Sequence, residues 1–122
     1  MELEKIFVVE DDLIIQLFIT KTLEWAGYSV VGEARSGKET LELLEGVKPD
    51  LILMDISFVG NMDGIETAHE INNRYNIPLI FMTGNADEAT IERARQADPL
   101  GFIFKPIDEN HLINKLRELK TE

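Results

Sequence analysis

The six residues Asp50-Leu51-Ile52-Leu53-Met54-Asp55 decide the fold of this chain. Four consecutive apolar residues lie shortly after Pro49 and end at a single carboxylate, which is the pattern of a short strand buried on both faces. Such strands belong to parallel sheets that helices cover on both sides. Because ligands of open α/β sheets bind outside the carboxyl ends of the strands, Asp55 is predicted to be the chemical centre of the molecule.

Four further runs along the chain have the composition of strands, and a helical pattern follows each strand. The strand runs are Lys5–Val9, Tyr28–Val31, Leu79–Met82 and Gly101–Phe104. The predicted helices cover Asp12–Ala26, a segment opened by a Ser36–Glu39 capping box and continuing to Val47, a segment after the turn at Asn61–Gly64 that carries Ile65 to Tyr75, Ala86–Ala97, and a segment capped by Asp108 that continues through Leu119. Five alternations of strand and helix predict an α/β fold with a parallel sheet and right-handed crossovers.

Length and composition limit the possible classes of protein. The chain has 122 residues, which fits one domain over residues 1–122 with no output domain. A formal net charge of −11 argues against nucleic acid or an anionic membrane as a direct partner. The chain has no cysteine, no signal-peptide pattern and no apolar run near the roughly 18 residues of a membrane span. We therefore expect a cytoplasmic protein.

Residues with acid, hydroxyl and amine side chains follow four of the five predicted strands. Glu10 and Asp11 follow the first strand, Asp55 ends the third, Thr83 follows the fourth and Lys105 follows the fifth. Because the carboxyl ends of parallel strands face one way, we expect these side chains to converge. Three neighbouring carboxylates repel one another unless a cation is bound or their pKa values rise. Oxygen ligands without His or Cys favour Mg²⁺.

This constellation predicts phosphoryl transfer to a carboxylate. A metal beside Asp55 would neutralise an incoming phosphoryl group, and Asp55 would attack phosphorus to form an acyl phosphate. Lys105 and the Thr83 hydroxyl would bind the phosphoryl oxygens, which supplies the positioning and charge neutralisation that such a transfer needs.

Five short motifs give the chain a likeness to a known family along its whole length. They are Val8-Val9-Glu10-Asp11-Asp12, Leu53-Met54-Asp55, Met62-Asp63-Gly64, Met82-Thr83-Gly84 and Phe104-Lys105-Pro106. On these motifs the chain resembles a response-regulator receiver domain of two-component or phosphorelay signalling. The resemblance implies a flavodoxin-like, doubly wound (βα)5 fold whose parallel sheet has the order 2-1-3-4-5.

The resemblance also implies the roles of the site residues. Asp55 is then phosphorylated by a histidine kinase or a histidine phosphotransfer protein. Mg²⁺ is then bound by Asp11, Asp55 and the backbone carbonyl of Ser57, with Glu10 acting through water. The bond between Lys105 and Pro106 is then cis, which X–Pro bonds tolerate.

Phosphorylation in this family draws the hydroxyl at the position of Thr83 toward the phosphoryl group and turns inward an aromatic side chain at the position of Phe102. The resulting change affects the face formed by helix four, strand five and helix five, which is expected to bind a downstream protein. Phe102 lacks a hydroxyl, so a switch here depends on packing alone. The alternative is that Phe102 is always part of the core.

The first helix carries more apolar residues than one inward face requires. The expected inward face consists of Ile15, Phe18, Ile19, Thr22, Leu23 and Ala26. This leaves Leu13, Ile14 and Leu17, which either widen the core or form an exposed patch for docking of the kinase or phosphotransfer protein. We expect His69 and His111 to be surface side chains.

Some residues depart from the family pattern and leave alternatives open. The proline that usually follows the phosphorylated aspartate is absent, and the segment from Asp55 to Asp63 is one residue longer than in most members. Ser57 and Asn85 fall where dephosphorylation rates vary. A phosphatase with an aspartyl-phosphate intermediate would need a second acid at the position of Ser57. Other readings are a receiver fragment of a hybrid kinase, a flavodoxin-like cofactor binder and an interaction domain that is never phosphorylated.

Overall fold

The computed structural model describes residues 3–57, 62–84 and 87–120. Five strands alternate with five helices in these segments: β1 (Lys5–Val9), α1 (Leu13–Trp25), β2 (Ser29–Ala34), α2 (Gly37–Leu44), β3 (Leu51–Asp55), α3 (Gly64–Arg74), β4 (Leu79–Thr83), α4 (Glu88–Arg95), β5 (Gly101–Phe104) and α5 (Glu109–Lys120). The strands form one sheet in the order β2-β1-β3-β4-β5, and every neighbouring pair is parallel. The predicted fold class and strand order are confirmed.

Two hydrophobic cores lie on opposite faces of this sheet. Successive side chains of a strand point to opposite faces, so Phe7 and Val9 of β1 enter one core while Ile6 and Val8 enter the other. Buried residues of α2, α3 and α4 cover the first face, and those of α1 and α5 cover the second. The central strands β3 and β4 are buried along their whole length, as the unbroken apolar run before Asp55 predicted.

The edge strand β2 extends to Ala34, three residues beyond the predicted end at Val31. Gly32 and Glu33 conceal this extension in the sequence because neither residue is typical of a strand. Gly32 is required by close packing, since a Cβ atom there would lie 2.5 Å from a ring carbon of Phe7. The sequence pattern therefore underestimated the length of β2, because the glycine that makes room for the Phe7 ring is not typical of a strand.

Helix ends differ from the predicted bounds. Helix α2 ends at Leu44, before the predicted Val47, and Leu43 is exposed. Its Ser36 cap accepts the predicted bond from the Glu39 N–H, but Glu39 returns a bond to the N–H of Arg35 instead of Ser36. Helix α4 begins at Glu88 because Asp87 caps it, so the predicted range Ala86–Ala97 was too long, and Ala86 lies outside the described residues.

The buried face of α1 is rotated relative to the prediction. Phe18, predicted to point inward, is 40% exposed, whereas Gln16 and Thr20 are buried. Both buried polar groups have hydrogen-bond partners at the edge of the sheet, which is what permits their burial. Counting only apolar residues therefore misplaced the face. None of the helices in the described segments combines the length and apolarity that a bilayer crossing requires.

The start of α3 is packed tightly against the end of β3. Asp63 caps this helix in a capping box with Glu66, and the Gly64 N–H donates to the carbonyl of Ile56 at 2.8 Å. A Cβ atom on Gly64 would lie 2.0 Å from the carbonyl oxygen of Asp55. Only a glycine fits between the helix and the strand here. This close contact therefore fixes the position of the Asp55 backbone relative to α3.

The variant Gly64→Ala is expected to lower the free energy of unfolding by about 1–3 kcal/mol, because the backbone of Asp55 must move away from the new methyl group. Gly46→Ala is the matched control, since a Cβ atom there meets nothing within 4 Å. Its effect is expected to stay within about 0.5 kcal/mol. Urea unfolding followed by circular dichroism measures both, and equal midpoints for the two variants would contradict the packing argument.

Candidate functional site

The carboxyl edge of the sheet gathers the residues that the sequence placed just past the strands. Glu10 follows β1, Asp55 is the last residue of β3, Thr83 is the last residue of β4, and Lys105 follows β5. The neighbouring strands hold these ends in register, with Asp55 paired to Met82 and Thr83 paired to Phe104. The parallel sheet therefore brings together residues that are far apart in the chain.

Three carboxylates form a tight cluster at this edge. Glu10, Asp11 and Asp55 each offer one oxygen, and these three atoms lie within 4.8 Å of one another. Glu10 and Asp55 are buried, whereas Asp11 is half-buried. This is the predicted convergence of the acids on one site.

The ammonium group of Lys105 lies between two of these acids. Its Nζ atom is 2.7 Å from Oε1 of Glu10 and 3.3 Å from Oδ1 of Asp55. The same Oδ1 accepts a bond from the backbone N–H of Ser57 at 3.3 Å. The peptide bond between Lys105 and Pro106 is cis, as the resemblance implied. Lys105 is therefore the counterion of the buried pair.

Burial and neighbouring charges change the pKa values of two residues of this site, Glu10 and Lys105. Burial raises the pKa of Glu10 and the nearby charge of Asp55 adds to this rise, although the bonds from Lys105 and from the Asp12 N–H oppose it. Burial lowers the pKa of Lys105, but its bond to Glu10 and the charges of Asp55 and Glu10 together outweigh this, so the pKa is raised. The stabilisation from Lys105 is thus complete below its ordinary pKa of 10.5 and is lost as the pH rises through the higher folded value.

Two residues that the sequence did not single out hold the backbone of the acidic loop. The Gln16 side chain donates to the carbonyls of Glu10 and Ala34 at 3.2 and 3.0 Å. The Arg35 guanidinium donates through Nε and Nη2 to the carbonyl of Asp11 at 3.3 and 3.2 Å. In the sequence, the only sign of this role is Gln16 itself, a long amide side chain among the apolar residues that begin the first helix.

The predicted switch residues lie on neighbouring strands. Thr83 is buried, and Phe102 is half-buried against the core that contains Phe81. The Phe102 ring is stacked between Phe81 and the exposed Phe104, with centroid distances of 6.0 and 6.4 Å. This conformation agrees with Phe102 as part of the core, and a switch remains a prediction.

The extra apolar residues of α1 lie on the surface. Leu13 and Leu17 are more than half exposed, and Ile14 is 81% exposed. A shallow apolar groove of about 350 Å³ adjoins them and reaches the site, lined by Ile14, Ile15, Phe18, Lys105, Pro106 and Ile107. The prediction that these residues widen the core is wrong, and their docking role remains a prediction.

The remaining predicted residues are placed as follows. His69 and His111 are exposed, as expected. Ser57 is exposed, and its role as a carbonyl ligand remains a prediction. Asn85 and most of the loop between Asp55 and Asp63 lie outside the described residues.

The donor set fits a small divalent cation. Three carboxylate oxygens from Glu10, Asp11 and Asp55 supply hard ligands, and the cluster contains neither His nor Cys. Because the oxygens of these three acids lie within 4.8 Å of one another, their negative charges repel one another. A cation of this class at the cluster would relieve that repulsion.

Comparison with known proteins gives a consistent result. The family model described as "Response regulator receiver domain" matches residues 6–117. The transcriptional regulatory protein PdtaR of Mycobacterium tuberculosis is 35% identical over 109 residues, which cover 89% of this chain and 53% of PdtaR. The chemotaxis protein CheY of Thermotoga maritima is 28% identical over 117 residues, which cover 95% of this chain and 97% of CheY. The chain therefore spans about half the length of PdtaR.

Solved structures show the same architecture. The signal receiver domain of a modulated diguanylate cyclase from Desulfovibrio desulfuricans aligns with a TM-score of 0.88 and 32% sequence identity, covering 96% of this chain and 93% of that chain. A CheY-like receiver domain protein from Methanospirillum hungatei aligns with a TM-score of 0.85 and 29% identity, covering 96% and 93%.

The variant Lys105→Met is expected to destabilise the fold by up to about 3 kcal/mol, because it leaves Glu10 and Asp55 buried without their counterion. MgCl2 is expected to restore more stability to this variant than to the unmodified chain, since the cation no longer competes with the ammonium group. Urea unfolding with and without MgCl2 measures both effects.

Lys115→Met is the control for this measurement. Lys115 belongs to α5 and is also half-buried, but its side chain lies against Gly101 and not against the acids. Its response to MgCl2 should equal that of the unmodified chain. The same MgCl2 response in both variants would show that Lys105 is not the counterion of the cluster.

Proposed function

The chain belongs to the response regulator receiver domain family, and from that premise we propose that Asp55 accepts a phosphoryl group from a phosphohistidine. The chain is thus the receiver part of a two-component signalling system. The observation that carries the proposal is the position of the Lys105 ammonium between Glu10 and Asp55, beside three clustered carboxylates. These groups are what transfer to a carboxylate requires.

In the proposed reaction an oxygen of the Asp55 carboxylate attacks phosphorus. The bond between phosphorus and the donor imidazole nitrogen breaks, and its electron pair stays on that nitrogen, so the histidine is released and Asp55 becomes an acyl phosphate. Lys105 turns from Asp55 to the phosphoryl oxygens, and the Thr83 hydroxyl donates to another oxygen. The chain thereby binds and orients the group with residues that are already on the carboxyl edge.

Asp11 and Asp55 are proposed to hold Mg²⁺ directly, with the backbone carbonyl of Ser57 as a third ligand and Glu10 acting through water. When bound, Mg²⁺ neutralises the charge that builds up between the phosphoryl oxygens and the carboxylates. Asp11 is half-buried, so a cation that it binds could enter from solvent. Glu10 is buried, which suits a residue that holds a metal-bound water in place and does not contact the cation itself.

The output is proposed to be a protein contact. An added phosphoryl group carries close to two negative charges, which can bias the position of Thr83 and the packing of Phe102. Phe102 connects the buried Phe81 to the exposed Phe104, so a change in its packing would alter the surface beside α4 and α5. A downstream protein that binds this surface would read the change.

Residues 1–122 are proposed to act as one receiver domain in the cytoplasm and not as an enzyme on external substrates. Hydrolysis of a separate substrate would need a general acid near Asp55, and the residue two positions later is Ser57. Promotion of its own phosphorylation and dephosphorylation is therefore the proposed extent of its chemistry.

The phosphodonor protein is proposed to dock on Leu13, Ile14 and Leu17. These exposed side chains adjoin the apolar groove that Lys105 and Pro106 also line, so a partner seated there would reach the site. A histidine kinase or a histidine phosphotransfer protein is the partner whose reactive group must approach Asp55.

The variant Asp55→Asn is expected to take up no phosphoryl group from acetyl phosphate and MgCl2, because a neutral amide is a far weaker nucleophile than a carboxylate. Intact-mass spectrometry measures the uptake. Asp12→Asn is the matched control, since Asp12 is an exposed neighbouring acid that caps α1, and Asn caps a helix equally well. Uptake by Asp55→Asn equal to that of the control would refute Asp55 as the acceptor.

The variant Leu17→Asp is expected to slow phosphorylation by the cognate histidine kinase about tenfold, which corresponds to about 1.4 kcal/mol. Its reaction with acetyl phosphate should not change, because a small donor does not use the docking surface. Trp25→Asp is the control, since Trp25 is 87% exposed at the far end of the same helix. Equal slowing of both donors in Leu17→Asp would remove the docking proposal.

A further inference from the structure

A buried amide lies directly behind the acidic cluster. Gln16 belongs to the second turn of α1 and is only 7% exposed. Burying an amide is unfavourable unless its polar atoms are hydrogen-bonded, so the partners of this side chain identify its purpose. The partners of its amide nitrogen are backbone carbonyls at the ends of two strands.

The Nε2 group of Gln16 joins the carboxyl ends of β1 and β2. It donates to the carbonyl of Glu10 at 3.2 Å and to the carbonyl of Ala34 at 3.0 Å. Since both acceptors are carbonyls, only the NH2 end of the amide can serve them. The carbonyl of Ala34 also accepts the N–H of Glu10 at 3.0 Å. Glu10 is therefore held by its N–H and by its carbonyl.

This double attachment fixes the residues on both sides of Asp11. Glu10 is anchored at the backbone by Gln16 and Ala34, and its carboxylate accepts the N–H of Asp12 at 3.1 Å. Asp12 in turn caps α1, and its carbonyl accepts the N–H of Gln16 at 2.9 Å. Asp11 lies between two anchored residues, so the direction of its side chain depends on them.

From these contacts we infer that Gln16 is a positioning residue of the cation site. It does not touch the cation; it sets the backbone of Glu10 and thereby the carboxylate of Asp11. This inference rests on the proposed Mg²⁺ site and adds a residue to it. Partners outside the ligand shell commonly change metal affinity about 10–100-fold when they are removed, because they orient the ligands.

The chain offers a matched control for this inference. Thr20 lies one turn further along α1, is buried to the same extent, and donates its hydroxyl to the side-chain Oε2 of Glu33 at 3.1 Å and not to a backbone carbonyl. Gln16→Met and Thr20→Val each replace one buried polar group on the same helix by an apolar group of similar size. A role in folding alone would make the two variants behave alike.

The first experiment titrates each folded protein with MgCl2 and follows the backbone amide NMR signals of the strand ends. The Mg²⁺ dissociation constant of Gln16→Met is expected to rise about 10–100-fold, whereas that of Thr20→Val should match the unmodified chain. Both variants should lower the urea midpoint. Unchanged Mg²⁺ affinity in Gln16→Met would overturn the inference.

A second experiment needs no metal. Hydrogen exchange of the Glu10 and Asp12 amides in the metal-free protein is expected to become faster in Gln16→Met and to stay unchanged in Thr20→Val. Gln16→Asn, which is too short to reach both carbonyls, serves where the Met variant does not fold, and failure of both variants to fold would assign Gln16 to folding and overturn the inference. If the unmodified chain does not bind Mg²⁺ at these acids, the proposed metal site itself fails.

Discussion

The contact of the Lys105 ammonium with Glu10 and Asp55 is the interaction on which the rest of the site depends. Two buried carboxylates at close range would repel each other and weaken the carboxyl edge of the sheet. The ammonium group compensates this charge at 2.7 and 3.3 Å, and it comes from the strand end on the far side of β4. The acids and their counterion are thus brought together by the order in which β1, β3, β4 and β5 lie in the sheet.

The sheet supplies the precision that this contact needs. The site elements follow short strands whose side chains are fixed in two tightly packed cores, so their ends do not drift. The tight fit of Gly64 under Asp55 fixes the third strand end, and the bonds of Gln16 and Arg35 fix the loop after the first. The residues of the candidate site lie at strand ends and in the loops directly after them, where a rigid scaffold positions them, as in other α/β proteins.

The sequence was sufficient for the fold and for the residues that converge, because both follow from local patterns. Unbroken apolar runs predicted the buried strands, and acids placed at their ends predicted the cluster of Glu10, Asp11 and Asp55. The rotation of α1 was not predictable, because burial of Gln16 and Thr20 depends on acceptors in another strand. The length of β2 was not predictable either, because Gly32 is needed to make room for the ring of Phe7 on the neighbouring strand. Non-local partners thus decided these two differences.

Two cations could neutralise the acids of this site: the ammonium group of Lys105 or a divalent cation. In the described conformation Lys105 compensates the acids by itself, which raises its own pKa. A divalent cation at the same acids would release part of that ammonium charge, and a phosphoryl group on Asp55 would then attract it. Since one ammonium group cannot pair fully with Glu10, Asp55 and a phosphoryl group at once, a second cation at the acids would leave Lys105 able to contact that group.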